Sequence, residues 1–199
     1  MYRGRTIAQT CSYLGAEWLD RPDREAREQP DKVLDALKLT PDMTVADVGA
    51  GTGYFTVRIA KRVAKVYATD AQPEMIELLR KRVAGAPNVE PVLAGEHDAG
   101  LPERCCDLEI LVDVYHELSD PPAVVAGLRR ALKPDGRLVL VEYRGEDPAV
   151  AIKPAHKMTL AQIRSELEPL GFRFVDSLEI LPDQRVVIFT PATPGDRPR

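Results

Sequence analysis

The run Val45-Ala46-Asp47-Val48-Gly49-Ala50-Gly51-Thr52-Gly53-Tyr54-Phe55 constrains this chain more than any other stretch. A short β-branched segment ends in an acid, a G-x-G-x-G loop follows, and an amphipathic segment continues to Val63. The order predicts strand, tight turn, helix. Glycines let the backbone turn sharply and approach a ligand that a Cβ would block. The helix start beyond them offers free N–H groups to that ligand. A second strand, Val66-Tyr67-Ala68-Thr69-Asp70, also ends in an acid, which is suited to accept both hydroxyls of a ribose. A nucleoside-bearing cofactor across the first two strand ends is the expectation.

The loop narrows the choice. A dinucleotide fold needs G-x-G-x-x-G. Here the third glycine comes one place early and Tyr54 takes the expected position. The acid-x-G-x-G-x-G series Asp47-Val48-Gly49-Ala50-Gly51-Thr52-Gly53 resembles the first motif of the class I S-adenosylmethionine-dependent methyltransferases. The phrase Gly15-Ala16-Glu17-Trp18-Leu19-Asp20 is similar to that of uncharacterised bacterial small-molecule methyltransferases. The resemblance implies S-adenosylmethionine as cofactor and methyl transfer to a small-molecule acceptor. The alternatives are a protein that binds this cofactor without catalysis, or a nicotinamide-dependent oxidoreductase.

The rest of the chain fits an α/β fold. Strands are expected near 43–48, 65–69, 89–93, 108–112 and 137–141, the last entered by a tight turn at Lys133–Gly136. Helices are expected from Pro30, over 53–63, from Pro73 to about Val83, from Asp120, and over 159–170. Apolar residues recur on one helical face in Met75, Ile76, Leu79 and Val83, and in Leu160, Ile163, Leu167 and Leu170. Two last strands, 172–180 and 184–190, form an antiparallel hairpin. Alternating strands and helices predict a doubly wound, mostly parallel, seven-stranded sheet. Residues 1–29 are expected to be a helical arm or lid, 30–190 the methyltransferase domain, and 191–199 a disordered tail.

In open α/β sheets the ligand sits beyond the carboxyl ends of the strands. That gathers the glycine loop, Asp70, the Glu96–Asp98 loop and Asp113–Glu117 around one crevice. By resemblance Asp47 holds the loop or meets the cofactor, and Asp70 binds the ribose, unless Asp70 only caps the next helix. Ala71, Gln72 and Met75 are expected to line the adenosine pocket, with Asp113 on the cofactor side. Glu96 and Asp98 compete for the adenine amino group. Asp98 is preferred because it precedes a small residue, although the spacing to Leu101-Pro102 departs from the family pattern by one.

His116 is a candidate general base, with Tyr115 beside it, because an imidazole titrates near neutrality. The other reading is a ring that packs beneath the next loop. Trp18, Tyr54, Glu117 and His156 are candidate acceptor contacts, and Trp18 reads equally as an anchor for the arm. A metal site built from His116, Glu117 and His156 is conceivable, but no close His pair stands at ligand spacing, so no metal is expected. Asp120-Pro121-Pro122 is followed by Ala123 and opens a helix. It reads as a cap, not as the Asp-Pro-Pro-aromatic motif of nucleic-acid amino methylases.

Composition sets outer bounds. With 199 residues and 44% hydrophobic content, one sizeable core is expected. A net charge of −4 offers no basic excess for nucleic acid or an anionic membrane. Three cysteines, two of them adjacent, make no disulfide framework and point to a reducing compartment. The first residues hold no apolar signal region, and no run is long enough to span a membrane. A cytoplasmic protein is the expectation.

Overall fold

The computed structural model describes residues 1–193 and 195. Eight strands, β1 (Thr44–Val48), β2 (Lys65–Asp70), β3 (Val89–Leu93), β4 (Cys106–Val112), β5 (Leu132–Arg144), β6 (Lys157–Met158), β7 (Phe172–Leu178) and β8 (Gln184–Pro191), form one sheet. Their order is β3-β2-β1-β4-β5-β8-β7, and the two-residue β6 pairs with β5. The first five run parallel, while β8 is antiparallel to both β5 and β7. The expected seven strands are present, with β6 added. The strand order reverses between β1 and β4, so the switch point lies at the end of the glycine-loop strand.

The central strands are apolar on both faces because helices cover both. Ala46, Leu138 and Leu140 face one layer with Val125 and Leu128 of α5 (Pro121–Ala131) and Ile163 and Leu167 of α6 (Leu160–Leu167). Their neighbours Val45, Val139 and Val141 face the other, with Val33 and Leu34 of α2 (Pro30–Ala36) and Ile59 of α3 (Thr56–Ile59). The alternation follows the two-residue period of a strand. Ile76 and Leu79 of α4 (Pro73–Arg82) bury against Ala68.

Local chemistry sets the helix ends. Pro73 opens α4, and Arg80, Lys81 and Arg82 sit in its last turn, where cations suit the dipole. The Asp120 carboxylate accepts the Ala123 N–H at the start of α5. A reciprocal Thr159/Gln162 capping box starts α6.

Three expectations need correction. The helix foreseen over 53–63 shrinks to Thr56–Ile59, and at its start Gly53 holds a φ of +88° that cannot join a right-handed helix. The Lys133–Gly136 turn does not precede β5 but lies within it. It is absorbed as a bulge between the Cys106–Leu132 and Leu108–Arg137 pairings. The tail is ordered further than foreseen: Pro191 pairs with Phe172, and the Ala192 N–H donates to the Gly171 carbonyl at 2.8 Å. Residues 194 and 196–199 of the expected tail lie outside the described residues.

The N-terminal segment is an arm laid across the carboxyl end of the sheet. It carries a 3-10 helix over Tyr13–Asp20 and the short α1 (Arg24–Glu28). Arg5 forks onto Glu166 of α6 at 2.8 and 3.2 Å, with both side chains nearly inaccessible. Arg5 also donates to the His116 carbonyl, as does the Ala8 N–H.

Candidate functional site

The glycine loop is built as its sequence implies. Gly49 and Gly51 hold φ of +71° and +55°, where side-chain-bearing residues are strained. A Cβ at Gly49 would lie 2.6 Å from a Val114 methyl, so the exit of β4 rests on the loop. The Ala50 N–H is bound by the Thr69 carbonyl. The Gly51 N–H donates to Asp70 Oδ2 at 3.0 Å, and the Gln72 N–H donates to Oδ1 at 2.9 Å. Burial pushes the Asp70 carboxyl up from its ordinary range, opposed by these N–H groups. Asp70 therefore stands at the loop and also braces the start of α4.

Asp47 lies behind the loop. Its carboxylate accepts the Thr56 hydroxyl at 2.6 Å, and burial raises its pKa to about 6. Thr52 and Met75 are buried, and Ala71 is exposed beside Gln72.

The arm covers this crevice. A Cβ at Gly51 would come within 2.8 Å of Leu19 Cδ1, so Leu19 sits directly over the loop. Gln72 clamps the arm from both sides, accepting from the Tyr13 N–H at 3.0 Å and donating to the Cys11 carbonyl at 2.9 Å. Asp20 pairs with Arg82 of α4 at 2.8 Å. Leu19, Cys11 and Gln72 as a clamp were not foreseen, because their roles depend on where the arm lands.

Beyond β4 lies a polar cluster. His116 is 1% exposed. Its Nδ1 is 2.6 Å from Glu142 Oε2, and its Nε2 is 3.1 Å from His156 Nδ1. Burial works against the charged ring, yet the Glu142 carboxylate outweighs it and the pKa rises to about 9. Burial pushes Glu117 to about 7, while burial and the charge on His116 push His156 down. Asp113 takes φ +55° and receives the Gln184 amide on both oxygens. Burial raises its pKa well above the ordinary range, with Glu28 and Glu142 adding to the effect.

Several expected site residues turn elsewhere. His116 is not a free neutral base facing the crevice, since both ring nitrogens are engaged and the ring is buried. Tyr115 is fully buried in the core beneath the Arg5 guanidinium, so it does not meet an acceptor. Asp98 pairs with Arg130 at 2.8 Å and accepts the Gly100 N–H, which directs it onto α5 rather than an adenine pocket. Glu96 is exposed and receives the Ser119 hydroxyl. Tyr54 donates to Glu25 and lies between the Arg24 and Arg58 guanidiniums, an anchor for the arm rather than an acceptor contact. Trp18 is 58% exposed against Arg21, so neither a pocket wall nor a buried anchor describes it. The close His pair that sequence spacing did not reveal is present: His116 and His156 meet across forty positions of chain, with Glu117 beside them. Glu142 was missed as well. Its one signal was a charge at the carboxyl end of the otherwise apolar run Leu138–Val141.

An open α/β sheet with a glycine loop at its switch point and an acid at the end of β2 defines a nucleoside-cofactor fold. Residues 46–140 match the methyltransferase domain family. An S-adenosylmethionine-dependent methyltransferase of Aquifex aeolicus superposes with a TM-score of 0.85 at 28% identity, covering 92% of this chain and 100% of that one. An uncharacterized methyltransferase of Mycobacterium tuberculosis is 32% identical over 130 residues, which is 65% of this chain and 50% of that protein. A demethylmenaquinone methyltransferase of Tropheryma whipplei is 30% identical over 134 residues, 67% of this chain and 55% of that protein. The chain spans about half the length of these curated relatives. The chain thus carries a methyltransferase domain and shares the fold of the S-adenosylmethionine-dependent enzyme of Aquifex aeolicus, and S-adenosylmethionine is the cofactor that this likeness implies. The site is compatible with that molecule: Gly51 holds a positive φ that glycine adopts without strain, and a buried carboxylate stands beside it. Among the described residues no helix is long and apolar enough to cross a membrane.

Proposed function

We propose that this protein transfers a methyl group from S-adenosylmethionine to a small-molecule acceptor. The observation that carries the reading is the Gly51–Asp70 contact, which sets a buried carboxylate against a loop shaped for close ligand approach. Asp70 binds the ribose, the Gly49–Gly53 loop cradles the rest of the cofactor, and Gln72 borders the adenosine. The cofactor supplies an activated sulfonium methyl when bound. The protein then has to align the nucleophile and exclude water.

Residues 1–29 act as the lid that does so. Leu19 lies over Gly51, and a ligand against the loop has to share its space. The acceptor enters at the Glu117–His156 end, beyond β4. A small molecule is favoured by the net charge of −4, which gives no polyanion surface, and by the demethylmenaquinone methyltransferase among the relatives.

The test is to incubate the protein with methyl-labelled S-adenosylmethionine and a fractionated metabolite extract. Label should pass into a low-mass product with the wild type and far more slowly with Asp70→Ala at subsaturating cofactor. Label appearing only in nucleic acid or protein would refute the small-molecule reading. No transfer by a protein that binds S-adenosylhomocysteine would favour the non-catalytic alternative.

A further inference from the structure

We propose that His116, Glu117 and His156 form a binding site for one divalent transition-metal ion of the zinc type. The three residues come from two turns at the same end of the sheet. His116 and Glu117 lie in the 3-10 turn Tyr115–Glu117 after β4, and His156 lies in the 3-10 turn Pro154–His156 before β6. Their ligating atoms form a nearly equilateral triangle. His116 Nε2 is 3.1 Å from His156 Nδ1 and 3.8 Å from Glu117 Oε1, and His156 Nδ1 is 3.7 Å from Glu117 Oε1. A point equidistant from corners so spaced lies about 2.1 Å from each, the length of a zinc–imidazole or zinc–carboxylate bond.

The surroundings orient these atoms as outer partners of a metal do. A metal-bound imidazole commonly gives its second N–H to a carboxylate, which fixes the tautomer and strengthens the ligand. His116 Nδ1 meets Glu142 Oε2 at 2.6 Å, which leaves Nε2 for the ion. Glu142 is itself fixed by the Tyr115 N–H at 3.0 Å. The Cys11 N–H donates to Glu117 Oε2 at 3.4 Å and so turns Oε1 toward the two rings. Charge points the same way. Among the described residues no Lys or Arg ion pair reaches Asp113, Glu117 or Glu142, and a dication offsets the Glu117 and Glu142 charges while both rings stay neutral.

Two imidazoles and one carboxylate suit zinc, iron, nickel or copper rather than magnesium or calcium, which prefer oxygen. Three protein ligands leave a fourth position for water or an acceptor heteroatom, as in catalytic zinc sites. The His156 and Glu117 side chains are 29% and 13% exposed, so the ion has an approach from solvent. The site is tied to the cofactor crevice through Cys11, whose carbonyl Gln72 holds. The proposal itself does not depend on methyl transfer.

The test is metal binding to the chelator-stripped protein. Cobalt(II) is titrated and followed by its visible bands, and zinc is titrated by calorimetry. One equivalent of each should bind per chain, with the intense cobalt bands of a four- or five-coordinate nitrogen–oxygen site. Glu142→Gln should weaken binding roughly tenfold to a hundredfold. His156→Ala and Glu117→Gln should weaken it further and remove the bands. His116→Ala risks misfolding because the ring is buried, so the partly exposed His156 carries the test, with circular dichroism melting as the check on folding. Substoichiometric binding, or wild-type affinity in folded His156→Ala, would overturn the proposal. A six-coordinate, weakly coloured cobalt complex that survives both substitutions would do the same.

Discussion

At the scale of single residues, Asp47 makes a measurable claim. Its folded-state pKa of about 6 lies above the ordinary 3.8, because burial disfavours the charge more than Thr56 relieves it. The native state therefore keeps this proton to higher pH than the unfolded chain does. The stability it contributes is fully present below about pH 4 and is lost as pH rises through about 6. Asp47→Asn cannot ionise and still accepts the Thr56 hydroxyl. It should gain stability relative to the parent between pH 4 and 7, by up to about 3 kcal/mol. Urea unfolding of both proteins at the two pH values reads the difference, and a pH-independent gap would contradict it. The places of Asp47 and the glycines were legible in the sequence because they belong to one contiguous strand–turn–helix, and that of Asp70 because it ends the next strand. The Asp98 and Tyr115 assignments failed because a loop after a strand fixes neither the direction of a side chain nor the depth of a ring.

At the scale of elements, the arm is the part least visible in the sequence. Residues 1–29 show no strong period, and their hydrogen bonds to the domain include partners from 29 to 161 positions away. The Arg5–Glu166 fork is the strongest of these ties. Arg5→Leu leaves Glu166 buried without its partner and should cost about 3–5 kcal/mol. The double variant Arg5→Leu/Glu166→Leu should recover much of that loss, and thermal melts of the single and double variants decide it. If the arm is a lid, its clamp sets how fast ligand leaves. Gln72→Ala removes two side-chain hydrogen bonds to the arm and keeps the backbone N–H that holds Asp70. At about 1 kcal/mol a bond, the dissociation rate of S-adenosylhomocysteine should rise roughly tenfold or more. Stopped-flow fluorescence of Trp18 is a convenient readout, and an unchanged rate would mean that the arm does not gate. The strands and long helices were legible because each carries its own period. The exceptions, a short α3 and a bulged β5, arise where glycine φ or a neighbouring strand overrides local preference.

At the scale of the whole molecule, the parallel order with a terminal antiparallel hairpin brings the ends of β1, β2 and β4 to one edge. Strand alternation foretold that edge. It did not foretell that His116, Glu142 and His156 would meet there, because no local pattern links three residues drawn from a turn, a strand end and a second turn. The central claim is that the Gly49–Gly53 loop and Asp70 hold S-adenosylmethionine. Calorimetric titration of S-adenosylhomocysteine into wild type and Asp70→Ala tests it most directly. The account predicts one site per chain with micromolar-range affinity, stabilising the fold by about 2.7 kcal/mol at a hundred times the dissociation constant. It predicts a loss of about 1.5–3 kcal/mol in binding for the variant, as charged hydrogen bonds to the ribose disappear. No heat at millimolar ligand, or equal affinity in the folded variant, would contradict it.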